Sequence, residues 1–176
     1  RVYDKDPNGE LADYAFYSAA YIYEEMGKWD EAMKAYKRLM ETHPSSALLA
    51  QAAFRIGFTY YGMGQYSDAI ASLSDAIKKY PASPLQGEAQ YFIGESLYRK
   101  GEYEKAIVAY TSIAKLSHSD FADDAQYSLG WAHHELKKYA DAAAAFARVP
   151  NMSEDAELES SSYLQAGRNY LLAGSD

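Results

Sequence analysis

Five small residues recur along the chain at intervals of 37, 37, 36 and 37 residues: Ala20, Gly57, Gly94, Gly130 and Gly167. Glycine inside a helix costs about 1 kcal/mol relative to alanine, so it marks a place where a neighbour approaches too closely for a side chain. Other columns keep the same step: Trp29, Tyr66, Tyr103 and Tyr139; Ala32, Ala69, Ala106 and Ala142; Tyr36, Leu73, Tyr110 and Phe146. Small and aromatic residues held in register at a fixed period demand one helical unit repeated and stacked on itself. Length then counts repeats rather than hydrophobic cores.

The stretch 89–110 shows what one unit contains. Apolar residues fall at helical spacing before Gly101 (Ile93, Leu97) and after it (Tyr103, Ala106, Ile107, Tyr110). Gly101 stands where the first helix must stop, because glycine accepts the left-handed backbone of a helix end. The spacing predicts hairpins of an A helix and a B helix. The first has A over about Leu11–Met26, a turn at Gly27 and B over Trp29–Thr42; the second has A over Leu48–Gly62 and B over Tyr66–Tyr80. Short links rich in Pro and Ser join them, and Ser83-Pro84 reads as a helix cap followed by a first-turn proline. The fourth unit departs from the pattern, with Lys137 at the turn glycine and no late proline.

These columns resemble the tetratricopeptide repeat family, whose unit carries an aromatic, Leu-Gly, Tyr, Gly, Tyr, Ala, an aromatic and a late Pro. The matching residues are clearest in Phe54, Ile56-Gly57, Tyr60, Gly64, Tyr66, Ala69, Leu73, Ala76 and Pro81. The resemblance covers nearly the whole chain and implies an all-α, right-handed α-solenoid of helix-turn-helix repeats. Residues 1–176 then form a single array. Its parts are the tail of a preceding unit (1–10), four repeats (about 11–46, 47–83, 84–119 and 120–153) and the first helix of a fifth (154–176). Val2 and Pro7 fall in the columns of the later units, and helix B of the fifth is missing, so a longer parent array is expected. The lengthened unit is similar to tetratricopeptide arrays of bacterial cell-envelope proteins, which implies a periplasmic or cell-envelope setting rather than a cytoplasmic one.

Composition narrows the function. Net charge is −8, concentrated in the last full unit, and phosphate backbones need basic patches, so nucleic acid is excluded as a partner. No apolar run approaches the ~18 residues of a membrane span, so no membrane insertion is expected. The absence of cysteine removes disulfides and thiolate chemistry. Ser117-His118-Ser119-Asp120 has the letters of a hydrolase triad, but triads are assembled from distant segments, and a helix-cap loop explains the run. His133 and His134 point about 100° apart on a helix, and His133 shares the packing column of Tyr60 and Leu97, which argues against a metal. The chain is therefore expected to be no enzyme and to need no cofactor.

Aromatics are the feature to weigh: they make up 15% of the chain, including 18 tyrosines. One set fills the interhelix columns. A second lies on another face of the A helices: Tyr17, Tyr21, Phe54, Phe58, Tyr61, Tyr91, Tyr98, Tyr127 and Trp131, with His134. In the resembled family that face lines a concave groove for extended peptides. Tyr21, Phe58 and Trp131 share one column, which Glu95 fills in the third unit. The family's chaperone-binding members clamp a terminal carboxylate with Lys, Asn and Arg; here Arg55 alone is basic, so that clamp is not expected. The implied function is a scaffold or adaptor that binds a protein or peptide segment along this aromatic wall. The alternatives are self-association through the open ends, or a regulatory or targeting arm of a larger envelope protein or enzyme.

Overall fold

A computed structural model describes residues 11–113, 120–153 and 155–174. The expected tail of a preceding unit (1–10) and the run Ser117-His118-Ser119 lie outside the described residues. All regular structure among the described residues is helical: α1 (Ala12–Glu25), α2 (Trp29–Thr42), α3 (Leu49–Gly62), α4 (Tyr66–Lys79), α5 (Gln86–Arg99), α6 (Tyr103–Ile113), α7 (Ala122–Glu135), α8 (Tyr139–Phe146) and α9 (Ala156–Ala173), with a short 3-10 turn at Val149–Asn151. The chain is thus an all-α array of hairpins, the solenoid class. Its contacts divide it into two compact units, Arg1–Ala89 and Gln90–Asp176.

Every hairpin turn closes the same way. Gly27, Gly64 and Gly101 take positive φ (66°, 72° and 75°), and Lys137 takes the fourth place in that column at 58°. At each turn the left-handed residue's amide donates to a carbonyl three back (Glu24, Tyr61, Tyr98, His134), at 2.8–2.9 Å. The next amide reaches five back (Tyr23, Tyr60, Leu97, His133), also at 2.8–2.9 Å. These paired bonds satisfy carbonyls that a helix end otherwise leaves open.

In the first unit the core gathers Phe16, Ala20, Ala32, Tyr36, Leu39, Ala52 and Ile56, all buried, from α1, α2 and α3. The small-residue column is the hinge of the packing. A Cβ on Gly57 would collide with Leu73 of α4. In the second unit one on Gly94 would collide with the Tyr110 ring, and one on Gly130 would stand 2.6 Å from Phe146. Gly57, Gly94 and Gly130 are therefore sockets for the large B-helix residue of the same hairpin. Gly167 of α9 has no described residue within 4 Å of its Cβ position, its own helix aside.

The Ser83 hydroxyl accepts from the Leu85 amide two residues on at 3.2 Å, the bond of a capping serine, just ahead of Gln86 where α5 starts. Ser46 does the same for Leu48 and also donates to Asp13 of α1 at 2.6 Å, tying the link back to the first helix. A side-chain cap also appears at α9, where Asp155 accepts from the amides of Glu157 and Leu158.

Candidate functional site

The column of Tyr17, Phe54, Tyr91 and Tyr127 faces the B-helix column more than solvent. Tyr17 meets Tyr36 edge-on at 5.6 Å, Tyr91 lies 6.3 Å from Tyr110, and Tyr127 meets Phe146 edge-on at 5.3 Å. Phe54 is wholly buried (0% exposed) and offers no surface to a guest. Phe58, at 8% exposed, is nearly so. Both were expected on an open wall; column membership fixes the face of a helix but not how deeply its neighbours cover it. Tyr21 is 40% exposed, and the remaining members of the set are half-buried.

In the first unit this face closes on itself. Glu24, buried, accepts from the Tyr36 hydroxyl at 2.9 Å and the Thr59 hydroxyl at 2.7 Å. Arg55 brings its guanidinium to 3.8 Å from the same carboxylate and lies over the rings of Tyr21 (5.2 Å) and Phe58 (5.7 Å). Burial opposes the charge on Arg55, but Glu24, Tyr17 and Tyr36 together outweigh it and hold the guanidinium protonated more firmly than usual. Burial and Glu24 likewise push the Tyr36 phenol far up. Arg55 is therefore engaged within the chain, by Glu24, Tyr21 and Phe58. Glu24 was missed by the sequence reading. Its signal was a carboxylate in the column of Tyr61, Tyr98 and His134.

In the second unit the face opens into a cavity of about 470 Å³, lined by Tyr91, Glu95, Tyr98, Tyr127, Ser128, Trp131 and Glu135. Four of the expected wall residues meet there. Glu95 Oε1 accepts from the Tyr110 hydroxyl at 2.7 Å and the Ser128 hydroxyl at 3.0 Å. Tyr98 packs edge-on against Tyr103 and donates to Glu135 at 3.4 Å; burial and that carboxylate raise its phenol to about 12. Trp131 is braced by Phe146 and His134, each 5.5 Å away. His134 is itself fixed, its Nδ1 2.8 Å from the buried Asn169 Oδ1, so that Nδ1–H donates. The sequence reading placed Glu95 in the column but did not assign Ser128 or Glu135 to the site.

His133 takes no part. Its Nδ1 is buried without a hydrogen bond, with Asp141 at 3.9 Å. Burial lowers its pKa, only partly opposed by Asp141. The unfolded chain therefore binds this proton more tightly, and the stability involved is present above a pH of about 6.5 and falls as pH drops through that value. His133→Leu, which restores the residue type of Leu97, should raise unfolding free energy by about 1 kcal/mol at neutral pH. Urea midpoints at pH 7 and 5 check this: the variant's advantage should grow on acidification. Among the described residues no three His, Asp or Glu side chains cluster to hold a metal, and no helix is long and apolar enough to cross a membrane.

Comparison with known proteins agrees with the repeat reading. Models described as tetratricopeptide repeat match residues 54–120 and 114–156 in one case and 14–46 in another. No curated protein matches the chain in sequence. Among solved structures, a crystal structure of MamA protein is 22% identical, covers 94% of this chain and 85% of its own, and superposes with a TM-score of 0.73. The apo form of RapI gives 0.83 at 15% identity, over 99% of this chain and 52% of that one. A putative kinesin light chain from Podosopora anserina, with nearly identical TPR-like repeats, gives 0.72 at 15% identity over 96% and 90%. At these identities the likeness is one of fold alone.

Proposed function

The chain belongs to the tetratricopeptide repeat family, and from that membership we propose that it is a protein-binding scaffold whose A-helix aromatics grip an extended segment of a partner. The observation that carries the reading is the meeting of Tyr91, Tyr98, Tyr127 and Trp131 around one open cavity. Tyrosine and tryptophan supply large, rigid contact area with a polar tip, the residue types that dominate protein interfaces. Their rings are held before any guest arrives, by Tyr110, Phe146, Tyr103 and His134, so little ordering cost remains at binding. The first unit carries Tyr17, Tyr21 and Tyr61 on the same face of its A helices, with Phe54 and Phe58 buried among them. The work is binding, without a chemical step.

The test is selection of peptides from a displayed library on the wild-type protein, followed by titration of Trp131→Ala. Affinity should fall about tenfold or more, as for an interface anchor, with the melting temperature nearly unchanged. Undiminished affinity sinks the reading. So does a stability loss of the ~2–5 kcal/mol typical of a core truncation, because Trp131 would then be structural.

Self-association is the second reading, favoured by α9, which exposes Tyr163, Leu164, Tyr170 and Leu171. Under it, sedimentation velocity should show a concentration-dependent rise in mass that Leu164→Asp abolishes; a constant monomer mass rejects it.

A further inference from the structure

The two units solve one electrostatic problem in two ways. In the first, a carboxylate (Glu24) accepts from the hydroxyl of the B-helix tyrosine (Tyr36), and an arginine from the next A helix (Arg55) sits against it between two rings of the Tyr21 and Phe58 column. The second unit assembles similar parts, with the carboxylate in a different column: Glu95 stands in that of Tyr21 and Phe58, whereas Tyr98 stands in that of Glu24. Glu95 accepts from Tyr110, which is the counterpart of Tyr36, and Trp131, which is the counterpart of Tyr21 and Phe58, walls the cavity beside it together with Tyr98. The cation differs. Ser128 stands in the column of Arg55, two units on, and its short hydroxyl donates only to Glu95 Oε1. None of the described residues lining the cavity is basic, and Glu135 adds a second carboxylate to the wall.

We infer that this cavity takes the guanidinium of an arginine side chain from the bound segment, in the setting that Arg55 occupies within the first unit; the inference rests on the scaffold reading above. A cavity of about 470 Å³ has ample room for one guanidinium and its methylene stem. Glu95 supplies the counter-charge, and Oε2 receives no hydrogen bond from a described residue, so it remains to accept an N–H. The faces of Trp131 and Tyr98 supply the attraction of an aromatic ring for a cation, strongest for tryptophan. The planar, weakly hydrated guanidinium suits such a slot better than the compact ammonium of lysine. The chain's net charge of −8 favours approach of a basic segment.

The experiment uses a blocked Gly-Gly-Arg-Gly-Gly peptide and its citrulline counterpart, which keeps the shape and loses the charge. Binding is followed at the indole N–H resonance of Trp131, with Trp29 as the internal control. The arginine peptide should shift Trp131 saturably and leave Trp29 still, and the citrulline peptide should bind about tenfold more weakly. Glu95→Gln should erase that difference. Ser128→Arg should supply the guanidinium from the chain itself and block the arginine peptide, and it serves where Glu95→Gln disturbs the fold. Retained affinity in Ser128→Arg overturns the assignment, as does absence of any shift at Trp131. Equal binding of both peptides, lost in Trp131→Ala, overturns the guanidinium assignment while leaving the scaffold reading intact. Library-selected peptides that ignore Trp131→Ala overturn both.

Discussion

Phe54→Ala should lower the free energy of unfolding by about 3–5 kcal/mol, the range for a buried phenylalanine truncated in a core. Tyr21→Ala, on the same face of the A helix one unit earlier, should cost far less. The contrast comes from depth. Phe54 is 0% exposed, and nothing can collapse into its place without moving α3 against its neighbours, because Ala52, Ile56 and Gly57 beside it are buried too. Tyr21 is 40% exposed and contributes chiefly one face to the Arg55 guanidinium. Equilibrium urea unfolding decides the matter. If Phe54→Ala loses less than about 1 kcal/mol, the residue is not the keystone its burial indicates.

Gly130→Ala should destabilise the protein by about 1–3 kcal/mol, the usual penalty for overpacking, whereas Gly167→Ala should stabilise it by up to about 1 kcal/mol. The two glycines share a column and differ in what faces them. A Cβ at Gly130 would press on the ring of Phe146 at 2.6–2.7 Å, and that ring is fully buried and hemmed by Tyr127 and Trp131. At Gly167 no described residue lies within 4 Å, its own helix aside, so only the helix propensity of alanine is felt. Gly94→Ala should behave like Gly130→Ala, because the Tyr110 ring it would strike is anchored through its hydroxyl to Glu95. Thermal melts of the three variants give the signs directly. A stabilising Gly130→Ala would mean that the small-residue column is not a set of sockets.

The hairpins were legible because their determinants are local. Small residues, turn glycines and the Ala32 column repeat at one period, and helix identity follows from spacing alone. Even the departure at Lys137 was visible, and the structure gives it the same positive φ as its glycine counterparts. Depth was not legible. Tyr21 and Phe58 occupy one column, yet one is exposed and the other buried, because the repeat sets which way a side chain faces and not how much is packed over it. The Glu24 network was hidden because its members are far apart in sequence: Tyr36 lies 12 residues away, Arg55 and Thr59 more than 30, and no single hairpin contains the set. The cavity at Trp131 depends on a further subtlety, that a serine rather than an arginine stands at position 128. Its meaning appears only when two units are compared atom by atom.

Each turn is closed by main-chain bonds, so the side chain just after the left-handed residue carries no structural duty. Lys28, Gln65 and Lys138, all exposed, occupy that place and share no chemistry. At the third turn the freedom has been used: Glu102 is held by Lys100 at 2.8 Å and Lys105 at 2.7 Å, which brings its carboxyl down to about 2. The hairpin tips are thus interchangeable display positions, where labels, charges or short insertions can be exchanged while the helices behind them keep their packing.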